Sequence, residues 1–228
     1  MNDKEQRFSY IRRSGRMTKG QTRGYEEIRN HYHTDPRTFS QQPGPLGVEI
    51  GFGMGQGLVA WAEESPAWTL LGIELYRPGV GALAKQISER NISNVMIIEQ
   101  PAQEVFAGFA QAGASAFLAE VRIYFPDPWP KKRHAKRRLI QADFIASVAH
   151  ALQPGGKLKI ATDWDPYAAW IREVMSQQDL LRCEVDQIDG DALRAQATKF
   201  EARGKNLGHE IHDLIYVRGT NSATTESR

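Results

Sequence analysis

The segment Phe125-Pro126-Asp127-Pro128-Trp129-Pro130-Lys131 sets one carboxylate in a stiff turn and runs straight into a basic cluster. Pro126 and Pro128 fix their own φ angles and push the residues before them out of the helical region, so Asp127 is held reproducibly. The preceding Val121-Arg122-Ile123-Tyr124-Phe125 is β-branched and aromatic, as strands are, which puts Asp127 just past a strand's carboxyl end. Ligands of open α/β sheets bind at that edge. Lys131, Lys132, Arg133, Lys136, Arg137 and Arg138 then crowd into eight residues around His134, a density suited to phosphates. An arbitrary basic run is more often a solvated helix start; adjacency to the Pro-Asp-Pro turn favours function here.

A second constellation lies upstream. Val48-Glu49-Ile50-Gly51-Phe52-Gly53-Met54-Gly55-Gln56-Gly57 alternates glycines between a predicted strand and a predicted helix, which allows a tight turn and close ligand approach. Glu74 ends Leu70-Leu71-Gly72-Ile73-Glu74, where a carboxylate can bind ribose hydroxyls. Together they read as a nucleoside-cofactor site. A nicotinamide fingerprint also has glycines and a downstream acid, but its third glycine is spaced differently. Glu49 suits an ammonium- or sulfonium-bearing ligand better than a pyrophosphate, which favours S-adenosylmethionine.

These residues need a frame that aligns strand ends. From residue 46 short apolar runs alternate with amphipathic stretches: 46–50, 56–64, 68–74, 78–90, 95–99, 101–111, 117–125, 135–152, 157–162 and 165–177. This βαβ series predicts a mostly parallel, doubly wound α/β sheet with helices on both faces. Glu49 to Gly57, Glu74 and Asp127 then share one rim. Residues 183–200 read as a polar loop, and His209 to Val217 alternate as a late antiparallel strand. Residues 1–45, with Arg12, Arg13, Arg16, Lys19 and Arg23 among Tyr10, Met17 and Tyr25, read as a partly disordered basic extension ending in a linker. The α/β domain would then occupy 46–218, with 219–228 a disordered tail.

Composition narrows the class. A chain of 228 residues, 41% apolar, buries one full core. Net charge is only +2 with a pI near 8.6, so affinity for nucleic acid must come from local patches. Cys183 stands alone, excluding an internal disulfide and favouring a reducing, cytoplasmic setting. The polar start and the lack of any long apolar stretch argue against secretion and membrane insertion. His209-Glu210-Ile211-His212 lacks the i, i+4 spacing of a helical zinc motif, so no metal site is expected.

The ordered motifs resemble the bacterial tRNA (guanine-N7-)-methyltransferases, class I enzymes acting at guanine 46 of the variable loop. The likeness runs over residues 10–217 and rests on Arg13 to Gln21, Glu49 to Gly55, Gly72-Ile73-Glu74, Phe125 to Trp129 with Arg133-His134 and Lys136-Arg137-Arg138, Ala161-Thr162-Asp163-Trp164, and Thr198-Lys199-Phe200-Glu201. The resemblance implies a Rossmann-like fold, S-adenosylmethionine as cofactor and tRNA as partner. It implies that Glu49, with Gly51, Gly53 and Gly55, holds the methionine part and Glu74 the ribose. It makes Asp127 the central acid, and gives the substrate to Lys131, Asp163, Thr198, Lys199, Phe200 and Glu201. Arg133, Lys136, Arg137 and Arg138 would meet RNA phosphates, and at most one of Phe125, Trp129 and Phe200, residue types more often found in the core, would stack on the base. The chain departs from the family at Pro101, where an Asp or Asn is usual near the adenine; Gln100 or Glu99 would substitute, with Gln100 the expected one.

Overall fold

The computed structural model describes residues 15–31, 34–188 and 207–220. Seven strands form one sheet in the order β3-β2-β1-β4-β5-β7-β6. Strands β1 (Leu46–Ile50), β2 (Thr69–Ile73), β3 (Val95–Ile98), β4 (Leu118–Tyr124) and β5 (Leu152–Thr162) run parallel, while β7 (His212–Arg218) pairs antiparallel with both β5 and β6 (Leu181–Ile188). The parallel strands are the apolar runs of the sequence, and every residue of β1 is buried, as in a sheet covered on both faces.

Helices α5 (Ala102–Gln111), α6 (Ala142–Ala151) and α7 (Asp165–Met175) cover one face, joined there by the short α2 (Pro36–Phe39). Phe39, Phe106, Phe109, Phe144, Tyr167 and Ile171 pack against Val48, Leu71, Val121 and Ile160 of the sheet. Each such side chain contributes about 1.5–3 kcal/mol by leaving water, so this face carries most of the core. On the other face α3 (Gln56–Glu64) and α4 (Arg77–Arg90) bury Leu58, Trp61, Val80, Leu83 and Ile87 against Leu70, Val95 and Ile97.

Within the basic extension, α1 (Lys19–His31) lies on α4. Thr18 and Gln21 start it with a capping box: the Thr18 N–H donates to Gln21 Oε1 at 2.8 Å and the Gln21 N–H to Thr18 Oγ1 at 3.3 Å. The two backbones meet at glycines. A Cβ on Gly24 would come 2.6 Å from the Gly81 carbonyl oxygen, and one on Gly81 would come 2.2 Å from that of Gln21.

Two expected elements differ. The helix read over 135–152 is a 3-10 turn, Lys132–Arg137, an extended stretch through Gln141, and only then α6. Tertiary hydrogen bonds overrule the helical pattern: Ile140 donates its N–H to the Tyr167 hydroxyl at 3.4 Å, and its carbonyl accepts from Trp170 Nε1 at 2.8 Å. The polar loop read from 183 begins instead as strand β6, paired with β7 through residue 188. Among the described residues no helix is long and apolar enough to cross a membrane.

Candidate active site

Strand order reverses between β1 and β4, so the segments leaving these two strands diverge to opposite faces and open a crevice at their carboxyl ends. Gly51, Gly53 and Gly55 follow β1 into that crevice. Gly51 and Gly53 have φ of +75° and +57°, conformations L side chains rarely adopt, and nothing lies within 4 Å of where their Cβ atoms would be. The turn therefore offers bare backbone to open space. It is pressed from behind by α4, since a Cβ on Gly79 would sit 1.9 Å from the Gly53 oxygen.

Glu49, on β1, lies under the first turn of α3 and is only 6% exposed; its Oε2 has no hydrogen-bond partner among the described residues. Burial lifts its carboxyl to about 7, opposed by Arg122 and assisted by Glu74. A buried acid with an unused oxygen beside bare glycine backbone is a fitting seat for a cationic group.

Glu74, just past β2, holds the turn together. Its Oε2 accepts from the Gly53 N–H at 2.9 Å, and its Oε1 accepts from Leu75 and Tyr76 at 2.7 and 3.0 Å. A carboxylate offers about four acceptor positions, so one remains for a hydroxyl. Gln100 follows β3, half-buried, beside Pro101 at the N-cap of α5, where no side chain caps the helix. Glu99 is committed elsewhere: it accepts from the Tyr25 hydroxyl of α1 at 2.5 Å and from Arg77 Nε at 2.9 Å. That leaves Gln100 as the polar side chain of this pair without a hydrogen-bond partner among the described residues.

Across the crevice, Asp127 is exposed in the turn after β4, and Asp163 follows β5, its neighbour in the sheet. The turn is anchored at its start, where Phe125 donates its N–H to the Ala161 carbonyl at 2.8 Å. Phe125 and Trp129 both have left-handed backbones, φ +50° and +46°, so Asp127 sits between two sparsely populated conformations. His209 Nδ1 lies 3.7 Å from Asp163 Oδ2. His212, the other half of the rejected zinc motif, is buried with Nε2 at 2.8 Å from Asp165 Oδ1. Among the described residues no cluster of His, Cys, Asp and Glu could hold a metal ion.

Lys131, Lys132, Arg133, Lys136 and Arg137 are exposed beside Asp127. Trp129 is already flanked, with the Arg137 guanidinium 5.1 Å from its ring centre and the His134 ring edge-on at 5.7 Å. His134 is held below its ordinary range by desolvation and by the cations Arg137, Arg133 and Lys131. Arg138 differs from its neighbours: it is 8% exposed, and its Nε donates to the Pro128 carbonyl at 3.0 Å. Thr198, Lys199, Phe200 and Glu201 lie outside the described residues.

Sequence reading missed Arg122, whose guanidinium stacks 3.5 Å from the Trp61 ring centre and pairs with Glu120 at 2.5 Å, Glu120 also meeting Lys159 at 2.9 Å. The signal was present as charged residues alternating through an apolar strand. It also missed Tyr25 and Arg77, which tie α1 to the end of β3 through Glu99.

A family model described as "Putative methyltransferase" matches residues 43–214. A tRNA (guanine-N(7)-)-methyltransferase of Acidovorax sp. (strain JS42) is 42% identical over 217 residues, covering 92% of this chain and 85% of the relative. One from Marinobacter nauticus is 39% identical, covering 92% and 91%. Among solved structures, a 16S rRNA (adenine(1408)-N(1))-methyltransferase variant from Catenulisporales acidiphilia with cosubstrate SAM superposes with a TM-score of 0.54 at 14% identity, over 83% of this chain and 93% of that one. An antibiotic-related methyltransferase gives 0.53 at 14%, over 91% and 96%. These two share the class I methyltransferase fold. With a relative 42% identical across 92% of its length, the chain belongs to the tRNA (guanine-N(7)-)-methyltransferase family.

Proposed function

We propose that this protein is a cytoplasmic enzyme that transfers a methyl group from S-adenosylmethionine to N7 of guanine 46 in the variable loop of tRNA. The observation that carries the reading is the pairing, across one crevice, of a cation-accepting cradle with an exposed carboxylate flanked by five exposed cations. Relatives 42% identical over 92% of the chain are named tRNA (guanine-N(7)-)-methyltransferase, which supports the tRNA and guanine N7 part of the reading.

S-adenosylmethionine supplies an electrophilic methyl group on a sulfonium. Glu49, with its unpartnered oxygen, receives the ammonium of the methionine part; Gly51, Gly53 and Gly55 line it, Glu74 takes the ribose and Gln100 the adenine. Guanine N7 carries an in-plane lone pair and no proton, so no base is needed to make the nucleophile, and positioning does most of the work. The purine becomes positive as the new bond forms. Asp127, fixed in its strained turn, stabilises that growing charge, and it also accepts from the guanine N–H edge. Asp163, Lys131 and the segment Thr198 to Glu201 hold the nucleoside. Arg133, Lys136 and Arg137 take phosphates, supplying salt-dependent affinity without sequence choice.

The test is transfer of labelled methyl to an unmodified tRNA transcript with guanine at position 46 and to its adenine counterpart, followed by mapping of the modified base. Methylation of the guanine transcript alone, at N7, is expected. Transfer to both transcripts at another base would make the protein a methyltransferase of different site. Salt-sensitive binding without transfer would make it an RNA-binding module.

A further inference from the structure

Five of the six cations between residues 131 and 138 face solvent, and the sixth does not. Arg138 turns inward, its guanidinium carbon 5.0 Å from the ring centre of Trp170, 5.3 Å from Tyr167 and 5.6 Å from Trp164. A guanidinium enclosed by three rings and 8% exposed is poorly placed to meet an RNA phosphate.

We propose that Arg138 is a positioning residue for Asp127, fastening the Pro-Asp-Pro turn to α7, and is not a phosphate contact. The turn needs such a fastener. Pro126, Pro128 and Pro130 have no N–H, so three of its residues cannot donate to hold it. Phe125 and Trp129, on either side of Asp127, sit in left-handed conformations that persist only when their surroundings impose them. The start of the turn is held by the Phe125 N–H on the Ala161 carbonyl, and the carbonyl following Asp127 is held by Arg138 Nε at 3.0 Å.

The other end of the link is equally defined. Trp170 Nε1 donates to the Ile140 carbonyl at 2.8 Å, and Gln141 Nε2 reaches the carbonyls of Ala135 and Arg138 at 2.9 and 3.2 Å. The segment from 138 to 141 is therefore clamped onto α7 and onto the 3-10 turn. Charge connects the same groups: burial chiefly raises the Tyr167 hydroxyl, and on it Arg138 and Asp127 act in opposite senses, the first favouring its ionised form and the second opposing it. Arginine suits the task because Nε and the planar fork act in different directions, one on the turn and one on the rings. A lysine has a single terminal charge and cannot do both.

The inference rests on Asp127 standing at the reacting centre, as proposed above. It is tested with Arg138→Lys, Arg138→Met and Arg137→Ala, assayed for tRNA methylation across salt concentrations. For both Arg138 variants kcat is expected to fall tenfold or more, while KM for tRNA and its salt dependence stay within twofold of the parent; lysine does not rescue. Arg137→Ala is expected to do the reverse, raising KM and flattening the slope of log K against log salt by roughly 0.7–0.9. Rescue by lysine, or a raised KM with a flattened slope and intact kcat, overturns the proposal. Amide hydrogen exchange decides it without methylation. In Arg138→Lys, exchange at Asp127 and Trp129 is expected to accelerate tenfold or more while β1 and β4 amides are unchanged, and unaltered exchange at the turn overturns it. If the unmodified protein does not methylate the guanine transcript, the functional reading fails, and the exchange result still decides the role of Arg138.

Discussion

Glu49 and Arg122 are cross-strand neighbours in the β1–β4 pair, yet the arginine directs its guanidinium to Glu120 and Trp61 and leaves Glu49 with an oxygen unpartnered among the described residues. Burial outweighs the attraction of Arg122, so the Glu49 carboxyl titrates near 7, above its unfolded value of 4.5. The fold favours the protonated form. Its contribution to stability is present below about 4.5 and is lost as pH rises towards 7, by roughly 3 kcal/mol in total. Denaturant unfolding without cofactor is expected to show this decline, and Glu49→Gln to abolish it and to be the more stable protein at pH 8.

Cofactor binding runs the other way. On the proposed function the cofactor's ammonium group needs ionised Glu49, so affinity is expected to rise with pH and level off above 7, about tenfold weaker at pH 6 than at pH 8. Calorimetric titration with S-adenosylmethionine checks it. A flat profile would remove Glu49 from the cofactor's cationic end.

On the proposed function Asp127 acts on charge that appears only as the methyl is transferred, so its loss is expected to show in kcat. For Asp127→Ala, kcat should drop by about 10² to 10³, the usual cost of removing one preorganised electrostatic partner, while the cofactor dissociation constant stays within twofold. Equal losses in both would make Asp127 a cofactor ligand.

The parallel half of the sheet was legible because its strands are short apolar runs punctuated by glycine turns, and a buried strand admits little else. The crevice was legible for the same reason: Glu49 lies within such a run, and Glu74 and Asp127 follow one. Strand β6 was not. It carries Arg182, Glu184 and Asp186, and its register slips between Cys183 and Val185, breaking the period-2 signal; charge on an edge strand also blunts pairing with other chains. The burial of Arg138 was not legible for a different reason. A run of cations in sequence says nothing about which one the backbone turns inward, and that depends on Trp164, Tyr167 and Trp170 more than twenty residues later.

The docking of α1 depends on absent side chains. Gly24 is buried against α4, where a Cβ would come 2.6 Å from the Gly81 oxygen and 3.0 Å from the Lys85 nitrogen. Backbone cannot give way as a flexible side chain can, so Gly24→Val should cost about 1–3 kcal/mol at this contact and release α1 while the sheet stays folded. Trypsin is expected to cleave at Arg16, Lys19 or Arg23 at least tenfold faster in the variant, with thermal unfolding of the remainder unchanged. Tyr25 leaves Glu99 in the same event, so cofactor affinity should fall as well.

Pro101 offers a gain. At the N-cap of α5 with φ −56°, it supplies no side-chain acceptor, whereas an Asp there would cap the helix for about 0.5–2 kcal/mol. Against this, replacing proline frees the unfolded chain and loses about 0.4–1 kcal/mol. The two nearly cancel, so Pro101→Asp should change stability by no more than about 1 kcal/mol. Affinity behaves differently, because the aspartate brings an acceptor to the adenine end proposed above for Gln100. One added hydrogen bond to a neutral amine contributes about 0.5–1.5 kcal/mol, so S-adenosylmethionine should bind roughly threefold to tenfold more tightly. Parallel calorimetry on Pro101→Asp and Gln100→Ala separates the roles: the first should tighten binding and the second weaken it, and tightening in Gln100→Ala would take that residue out of the adenine site.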